Sequence, residues 1–203
     1  GLKDGTSTTA VYNHSKTPVK VSKDGRPANS NSYMWVYRTG KYYKETPIIV
    51  YDYQKTRKHD HPETFLKGFH GLMVTDAHSA YGKLDRESEE MSFSACWAHA
   101  RRRYAEALKA LPKDSQDLAR ETVAHQALTR IAAIYHLDNQ LSEYEPKERQ
   151  RRRILTIKPL VEAYFAWIRE VKASDSLLSS KTLEGINYSL NHEKQLCLFL
   201  EDG

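Results

Sequence analysis

One informative run is Gly71-Leu72-Met73-Val74-Thr75-Asp76, a short apolar segment that ends at an acid. Its first five residues have the pattern of a buried β-strand. An acid directly after such a strand lies at the carboxyl edge of a sheet, where the active sites of α/β proteins form. A lone carboxylate can bind one side of Mg²⁺, but it cannot hold two metals. The alternative is that Asp76 caps the following turn, and spacing alone favours this plainer role.

Short β-rich segments and one helix precede this run. Aromatic and β-branched residues predict strands, and turn residues such as Gly25 and Gly40 separate them. Together they predict an antiparallel meander of three strands, over residues 19–21, 33–37 and 48–53. A short helix over residues 61–67, ending near Gly68, follows the meander.

The pattern becomes helical after residue 95. Apolar residues recur at helical spacing, and Pro112 and Pro159 mark positions where a helix should end or kink. A cap at Asp114-Ser115 is expected to start the second helix. The four predicted helices cover residues 97–111, 114 to about 135, 146–172 and 181–200.

The order of elements predicts an α/β fold. Three meander strands, a helix, a strand that ends in an acid and then helices are how a ribonuclease-H-like mixed sheet core begins. In such a core the fourth strand lies parallel to the first, and a carboxylate at the end of each faces one metal site. We therefore expect a sheet core that ends near residue 95 and a mostly helical region over residues 96–203.

Composition and charge narrow the possible functions. The 203 residues are 39% hydrophobic and 28% charged, enough apolar material for a sizeable core, and they contain no apolar run long enough for a membrane span. Two cysteines exclude a disulfide scaffold and fit a reducing compartment. The net charge is +5, and its excess falls in the first 75 residues. That excess suits a polyanion such as nucleic acid, but +5 is within the usual range for this size, so charge alone favours ordinary solubility charge.

Several short motifs could carry chemistry. Cys96 and His99 have the spacing of half a zinc site, but no second half exists at short range, which favours packing. His59-Asp60-His61 is rich in potential ligands and is best interpreted as a solvated loop before a helix. No phosphate-binding glycine loop, nucleophile elbow or array of paired cysteines is present, so kinase, hydrolase and zinc-finger functions have no support.

Basic residues form three groups that could contact phosphate. The first is Lys55, Arg57 and Lys58. The second and third, at residues 101–103 and 151–153, are Arg-Arg-Arg runs on predicted helices, and each spreads over nearly a full turn. A solvated face is the plainer interpretation, especially for residues 151–153.

Several blocks in order resemble one family, the insertion-sequence-66 (IS66) family of DDE transposases. The most specific block is Cys96-Trp97-Ala98-His99-Ala100-Arg101-Arg102. The other blocks lie at residues 23–40, 51–57, 65–69, 76–81, 158–167 and 199–203. The resemblance extends over residues 17–203 and leaves residues 1–16 as an unmatched N-terminal segment. It implies that residues 17–95 are an incomplete ribonuclease-H-like core and that residues 96–203 are a mostly helical insertion.

The resemblance implies a ribonuclease-H-like catalytic domain that cleaves DNA and transfers strands at the ends of a mobile element. In that family three acids hold two divalent metals, Mg²⁺ or Mn²⁺, and Asp76 matches the second acid. Cys96 and His99 match a Cys-x-x-His signature whose expected role is structural. The implied partners are DNA and further copies of the chain, in a bacterial cytoplasm and without a membrane.

Two departures from the family pattern bear on activity. The first acid of the family aligns with Ser15, and the following Glu aligns with Lys16. A hydroxyl cannot supply a carboxylate's charge, and an ammonium repels a metal. The resemblance places the third acid beyond Gly203, and Glu201 and Asp202 match positions before it. We therefore expect this chain not to cut DNA.

Two further hypotheses remain open. One is a non-catalytic DNA-binding or assembly module, with Lys55, Arg57, Lys58 and the run Arg101, Arg102 and Arg103 on phosphates. The other is a helical module over residues 96–203 that supports assembly of several copies.

Overall fold

A computed structural model describes residues 11–13, 17–21, 25–27, 29–43, 45–77, 81, 91–112, 118–174 and 177–203. The chain divides into two compact units, residues 1–95 and residues 96–203. The division falls where the composition changes from β-rich to helical.

The first unit is built around a mixed sheet. Within the described residues, six strands join in one sheet with the order β2-β3-β1-β5-β6, and β4 pairs with β3. Helix α1 lies between β4 and β5 in the chain. The elements are β1 Val11–Asn13, β2 Thr17–Val19, β3 Ser32–Thr39, β4 Ile49–Gln54, α1 Asp60–Leu66, β5 Gly71–Thr75 and β6 Met91–Ala95.

The strands combine an antiparallel and a parallel half. β1, β2 and β4 all pair antiparallel with β3. β5 pairs parallel with β1, and β6 pairs parallel with β5. The predicted meander is therefore present, but the predicted strand at residues 19–21 is displaced to Thr17–Val19.

A parallel neighbour for β5 was expected, but the residues that form it were not identified from the sequence. It is β1, whose Tyr12 lies opposite Val74, and it falls in a segment to which the sequence assigned no element. Three residues are too few to show the alternation that identifies a strand. Here tertiary pairing on both sides, with β3 and β5, stabilises a strand of minimal length.

Aromatic residues form the core of the sheet unit. Trp35 and Tyr37 on β3 are fully buried with Met73 and Phe93. Helix α1 covers this face, because Phe65 stacks on Tyr37 with 3.8 Å between ring centroids. Burial of each such side chain contributes about 1.5–3 kcal/mol. The helix ends as predicted, and Gly68 follows it with φ +75°, a conformation that glycine adopts without strain.

The second unit is helical. Its elements are α2 Trp97–Lys109, α3 Val123–Gln140, α4 Pro146–Arg152, a π-helical turn Arg153–Ile157, α5 Lys158–Ala173, α6 Ser180–Asn191, α7 Glu193–Cys197 and a 3₁₀ turn Leu198–Leu200. None of the helices in the described ranges is long and apolar enough to cross a membrane.

Helix starts and breaks differ from the sequence expectation in two places. The expected cap at Asp114-Ser115 lies outside the described residues, and α3 instead begins after Thr122, whose hydroxyl accepts from the His125 amide. The expected break at Pro159 takes the form of a π-helical turn. Because proline has no N–H, the regular ladder fails there, and the Lys158 amide reaches back to the Arg153 carbonyl.

Close packing of α2 on α6 organises the helical core. The Tyr104 hydroxyl lies 3.0 Å from that of Tyr164, which lies 2.8 Å from the Ser189 hydroxyl. Burial raises the pKa values of both tyrosines, so they act as neutral hydroxyls. Gly185 permits this contact, since a Cβ there would meet the Tyr104 ring at 2.7 Å. The Trp97 indole N–H donates to the Leu196 carbonyl at 2.9 Å.

Candidate functional site

Asp76 lies where the sequence placed it, directly after β5, and its side chain is half-buried. The preceding Thr75 is buried, and its hydroxyl accepts a hydrogen bond from the Ala77 amide at 3.1 Å. Ala77 has φ +58°, in the left-handed region that costs a non-glycine residue free energy. The backbone is therefore held in a tight and strained turn immediately beyond the acid.

The sheet brings the end of β1 beside the end of β5. Val11 pairs with Met73 and Tyr12 with Val74 in parallel register, so the last residues of β1 and β5 lie at the same level of the sheet, and β2 then continues along β3. Ser15 and Lys16, at the aligned positions of the first acid and its neighbour, lie outside the described residues. The described residues therefore place the two strands side by side and place Asp76 at their common edge.

The described residues at this edge do not assemble a two-metal site. Asp76 is the one carboxylate that the described ends of β1, β5 and β6 contribute. A two-metal centre needs several carboxylates that bridge or flank both ions. Asp76 can thus act as one ligand of a divalent cation, but the described groups beside it do not complete the donor set.

A separate group of potential ligands lies at the start of α1. Donor atoms of His59, Asp60 and Glu63 all lie within 4.8 Å of one another. His59 Nε2 is 3.0 Å from Asp60 Oδ1, and both carboxylates are exposed. Solvation and this short contact account for the group without a metal. The loop expected over His59-Asp60-His61 is wrong for Asp60 and His61, which lie in the first turn of α1.

The basic group after β4 is exposed. Lys55, Arg57 and Lys58 all face solvent, and the Arg57 guanidinium lies 6.0 Å from the centroid of the Tyr33 ring. β4 runs in the same direction as β1 and β5, because each is related to β3 or β1 by the pairings above. The three cations consequently follow a strand that ends at the same edge of the sheet as β5, which Asp76 follows.

The first Arg-Arg-Arg run divides between two roles. Arg101 and Arg102 are exposed on α2. Arg103 is half-buried, donates to the His99 carbonyl at 2.8 Å and lies 4.0 Å from the centroid of the Tyr188 ring. The run therefore offers two cations to solvent, while the third packs within its own unit.

The second run does not form a solvated face. Arg151 is exposed, but Arg153 is buried and its Nε donates to Asp138 Oδ1 at 2.8 Å. Arg153 Nη1 also donates to the carbonyls of Phe199 and Asp202, at 3.0 and 2.9 Å. The expectation of a solvated face is wrong for Arg153, because this guanidinium satisfies backbone acceptors near the end of the helical unit.

Cys96 and His99 sit at the start of α2. Cys96 is the residue before the helix, and the His99 amide donates to its carbonyl at 3.0 Å, as in any first helical turn. Within the described residues they join no cluster of three potential metal ligands. Burial raises the pKa of the second cysteine, Cys197, to about 11, which keeps it a thiol. The structural role expected for Cys96 and His99 stays a prediction.

Comparison with known proteins gives one family. The family model described as "Transposase IS66 family" matches residues 2–203, including most of the first sixteen residues. Similar proteins of Sinorhizobium fredii are the uncharacterized proteins y4hP, 27% identical over 165 residues (77% of this chain and 30% of y4hP), and y4qI, 27% identical over 202 residues (93% of this chain and 35% of y4qI). The chain thus spans about a third of these relatives. No solved structure matches it.

Proposed function

The chain belongs to the IS66 family of transposases, and from that premise we propose that it is part of a catalytic domain for DNA cleavage and strand transfer at the ends of a mobile element. In this proposal residues 17–95 form an incomplete ribonuclease-H-like core with the second acid. Residues 96–203 form a helical insertion that precedes the third acid.

The sheet supports the ribonuclease-H-like core. β1 and β2 both pair with β3, and together they correspond to the first strand of such a core. The strand order across the sheet is then third (β4), second (β3), first (β1 and β2), fourth (β5) and fifth (β6). The first three strands are antiparallel, and the last two run parallel to the first. The antiparallel meander and the parallel fourth strand agree with the expectation from the sequence, whereas the first strand begins earlier than predicted and β6 was not predicted.

The observation that carries the proposal is the position of Asp76. It follows β5 at the edge where the parallel neighbour β1 also ends. Open α/β sheets bind ligands outside the carboxyl ends of their strands. Asp76 is accordingly the residue that we assign as an acid for Mg²⁺ or Mn²⁺.

The same residues argue that this chain is inactive by itself. A divalent pair would stabilise charge on the attacking and leaving oxygens, but the described edge supplies only Asp76 towards it. At the aligned position of the first acid the chain has Ser15, beside Lys16. The donor set of the described residues does not fit two metals.

A non-catalytic DNA-binding or assembly module is the second candidate. It is favoured by the exposure of Lys55, Arg57 and Lys58 in the sheet unit and of Arg101 and Arg102 in the helical unit. Both candidates require DNA binding that weakens steeply with salt, because each phosphate contact releases counterions. They differ only in whether a more complete chain cuts DNA.

A nicking assay tests the proposal. Supercoiled DNA carrying element ends is incubated with this chain and Mg²⁺ or Mn²⁺, and Asp76→Ala is the matched control. We expect no nicking above background for either protein. Metal-dependent nicking that disappears in Asp76→Ala would overturn the proposal of an inactive fragment. In a longer chain that includes the third acid, Ser15→Asp is expected to increase cleavage, and Asp76→Ala is expected to abolish it.

A further inference from the structure

The sheet face opposite α1 carries exposed aromatic side chains. Phe65 of α1 covers the face that holds Tyr37. On the opposite face of β4 the alternate residues Ile49, Tyr51 and Tyr53 are 53%, 67% and 38% exposed. We call these three residues, together with Arg38 across from Ile49, the tyrosine face.

On the tyrosine face the neighbouring strand β3 contributes apolar side chains, and neither β3 nor β4 contributes an acidic one. Arg38 pairs with Ile49, Val36 with Tyr51 and Met34 with Tyr53, so their side chains share one face. Among the described outward positions of β3 and β4 there is no carboxylate. Asp52 points to the other face, where the Gln54 side-chain amide nitrogen lies 3.0 Å from each carboxylate oxygen.

A hydrogen-bond network holds one of the two exposed rings. The Tyr53 hydroxyl lies 2.8 Å from the Ser32 hydroxyl. Arg26 donates through one nitrogen to that Ser32 hydroxyl and through the other to the Lys55 carbonyl, the latter at 2.6 Å. The ring is thus positioned before any ligand arrives, and Lys55, exposed, follows it directly along the chain.

Charge and ring spacing indicate the partner. Tyr51 and Tyr53 lie two residues apart on one strand, which separates them by about 6.8 Å. Exposed aromatic rings within a positively charged surface are how proteins bind unpaired nucleic acid, since every base can stack and every phosphate can meet a cation. Bases inside a duplex are covered by their neighbours and cannot stack on these rings.

Building on the proposed function in DNA transposition, we infer that the tyrosine face binds an unpaired stretch of DNA. Bases stack on Tyr51 and Tyr53, and phosphates contact Arg38 and Lys55. Lys55, Arg57 and Lys58 alone would bind duplex and single strands by charge. The tyrosines add a preference for the unpaired strand.

Fluorescence anisotropy with a labelled oligothymidylate and with a duplex of the same length tests this inference at low salt. The variants are Tyr51→Ala, Tyr51→Phe and, as a control, Tyr144→Ala, which removes an exposed tyrosine of the helical unit. Tyr51→Ala is expected to weaken single-strand binding by about 5- to 150-fold, the loss of one stacked base. Tyr51→Phe and Tyr144→Ala should leave it unchanged, and no variant should alter duplex binding.

The outcomes separate this inference from the proposed function. If both DNA forms bind and Tyr51→Ala binds the single strand as wild type does, the tyrosine face is not its site, while the DNA function stands. If neither form binds at low salt, the proposed DNA contacts fail as well. If Tyr51→Ala instead dissociates a dimer in sedimentation without changing single-strand binding, the face belongs to a second copy of the chain.

Tyr51 is largely exposed, so replacing it by alanine should not unfold the sheet, and circular dichroism of the variant checks this.

Photocrosslinking gives a further measurement, which needs no variant. In wild-type protein, an oligonucleotide that contains bromodeoxyuridine is expected to crosslink to the peptide that includes Tyr51 and Tyr53. Crosslinks confined to other peptides would overturn the inference.

Discussion

Two clusters of basic residues, one after β4 in the sheet unit and one at residues 149–153 in the helical unit, differ in how they are used. In the sheet unit Lys55, Arg57 and Lys58 face solvent after β4. In the helical unit Arg149 and Arg153 are only 2% and 4% exposed, and both donate to backbone carbonyls. Basic residues that cluster along a sequence can therefore play two structural roles. They can form a surface that contacts phosphate, or they can be buried and donate hydrogen bonds to backbone carbonyls at the ends of helices and in turns.

Removing a buried guanidinium should have the largest effect on stability. Arg153→Ala removes the buried guanidinium that donates to the Asp138 carboxylate and to the Phe199 and Asp202 carbonyls. We expect a loss of about 3–5 kcal/mol from the free energy of unfolding, measured by urea titration with tryptophan fluorescence. Arg151→Ala, which removes an exposed neighbour, should change it by less than about 0.5 kcal/mol. Equal losses for the two variants would break the contrast between the units.

Overpacking between α2 and α6 should have a smaller effect. Gly185→Ala places a methyl group 2.7 Å from the ring of Tyr104, which is buried and hydrogen-bonded to Tyr164. We expect a loss of about 1–3 kcal/mol in the same urea titration. The matched control is Glu184→Ala on the exposed side of α6, which should be nearly neutral. A neutral Gly185→Ala would show that α2 and α6 can separate at little cost.

The exposed cations of the sheet unit are expected to determine how strongly DNA affinity depends on salt. Replacing Lys55, Arg57 and Lys58 together by alanine should reduce the slope of log affinity against log salt by up to about 3. A control variant with the exposed helical-unit residues Lys147, Lys158 and Lys194 changed to alanine removes the same charge. Only the first variant is expected to lose affinity in a salt titration by anisotropy. Equal losses would mean that net charge alone attracts DNA.

The smallest expected effect is a pH dependence of the helical unit. Burial lowers the pKa of His192, and the nearby Arg103 guanidinium lowers it further. An unfolded chain protonates this histidine near pH 6.5, whereas the folded chain resists protonation until lower pH. Stability is therefore complete above about pH 6.5 and falls as the pH decreases through that value.

Urea midpoints on both sides of that pH measure the effect. His192→Gln should flatten the dependence, because the residue no longer titrates. His136→Gln, at an exposed position on α3, should leave it as in wild type. An identical pH dependence in wild type and His192→Gln would assign the effect to another group.

Local patterns in the sequence predicted much of the fold. The segment that ends at Asp76, the two long strands of the meander and the helix that ends near Gly68 all form as expected. Each has a pattern that repeats at the period of one secondary structure and a turn residue at its end. The break near Pro159 was also expected, since proline cannot donate to the helical ladder.

Features that depend on distant partners could not be predicted. Strand β1 is too short to recognise and is defined by pairing with β3 and β5. The burial of Arg153 depends on Asp138 and on the carbonyls of Phe199 and Asp202, up to 49 residues away in the chain. The exposure of Tyr51 depends on which face α1 covers, and its aromatic character alone had indicated only a strand.

By itself the sequence determined most elements of secondary structure, the change from sheet to helices near residue 95, the acid at position 76 and the family resemblance. These follow from hydrophobic periodicity, turn chemistry and motifs within a few residues of one another. Only the tertiary structure decided that residues 11–13 form the strand parallel to β5, that residues 91–95 form a further parallel strand and which cations remain exposed. It also decided that two tyrosines stand on the open face of the sheet. Such properties depend on which surfaces are removed from water when distant segments meet, and no local pattern contains that information.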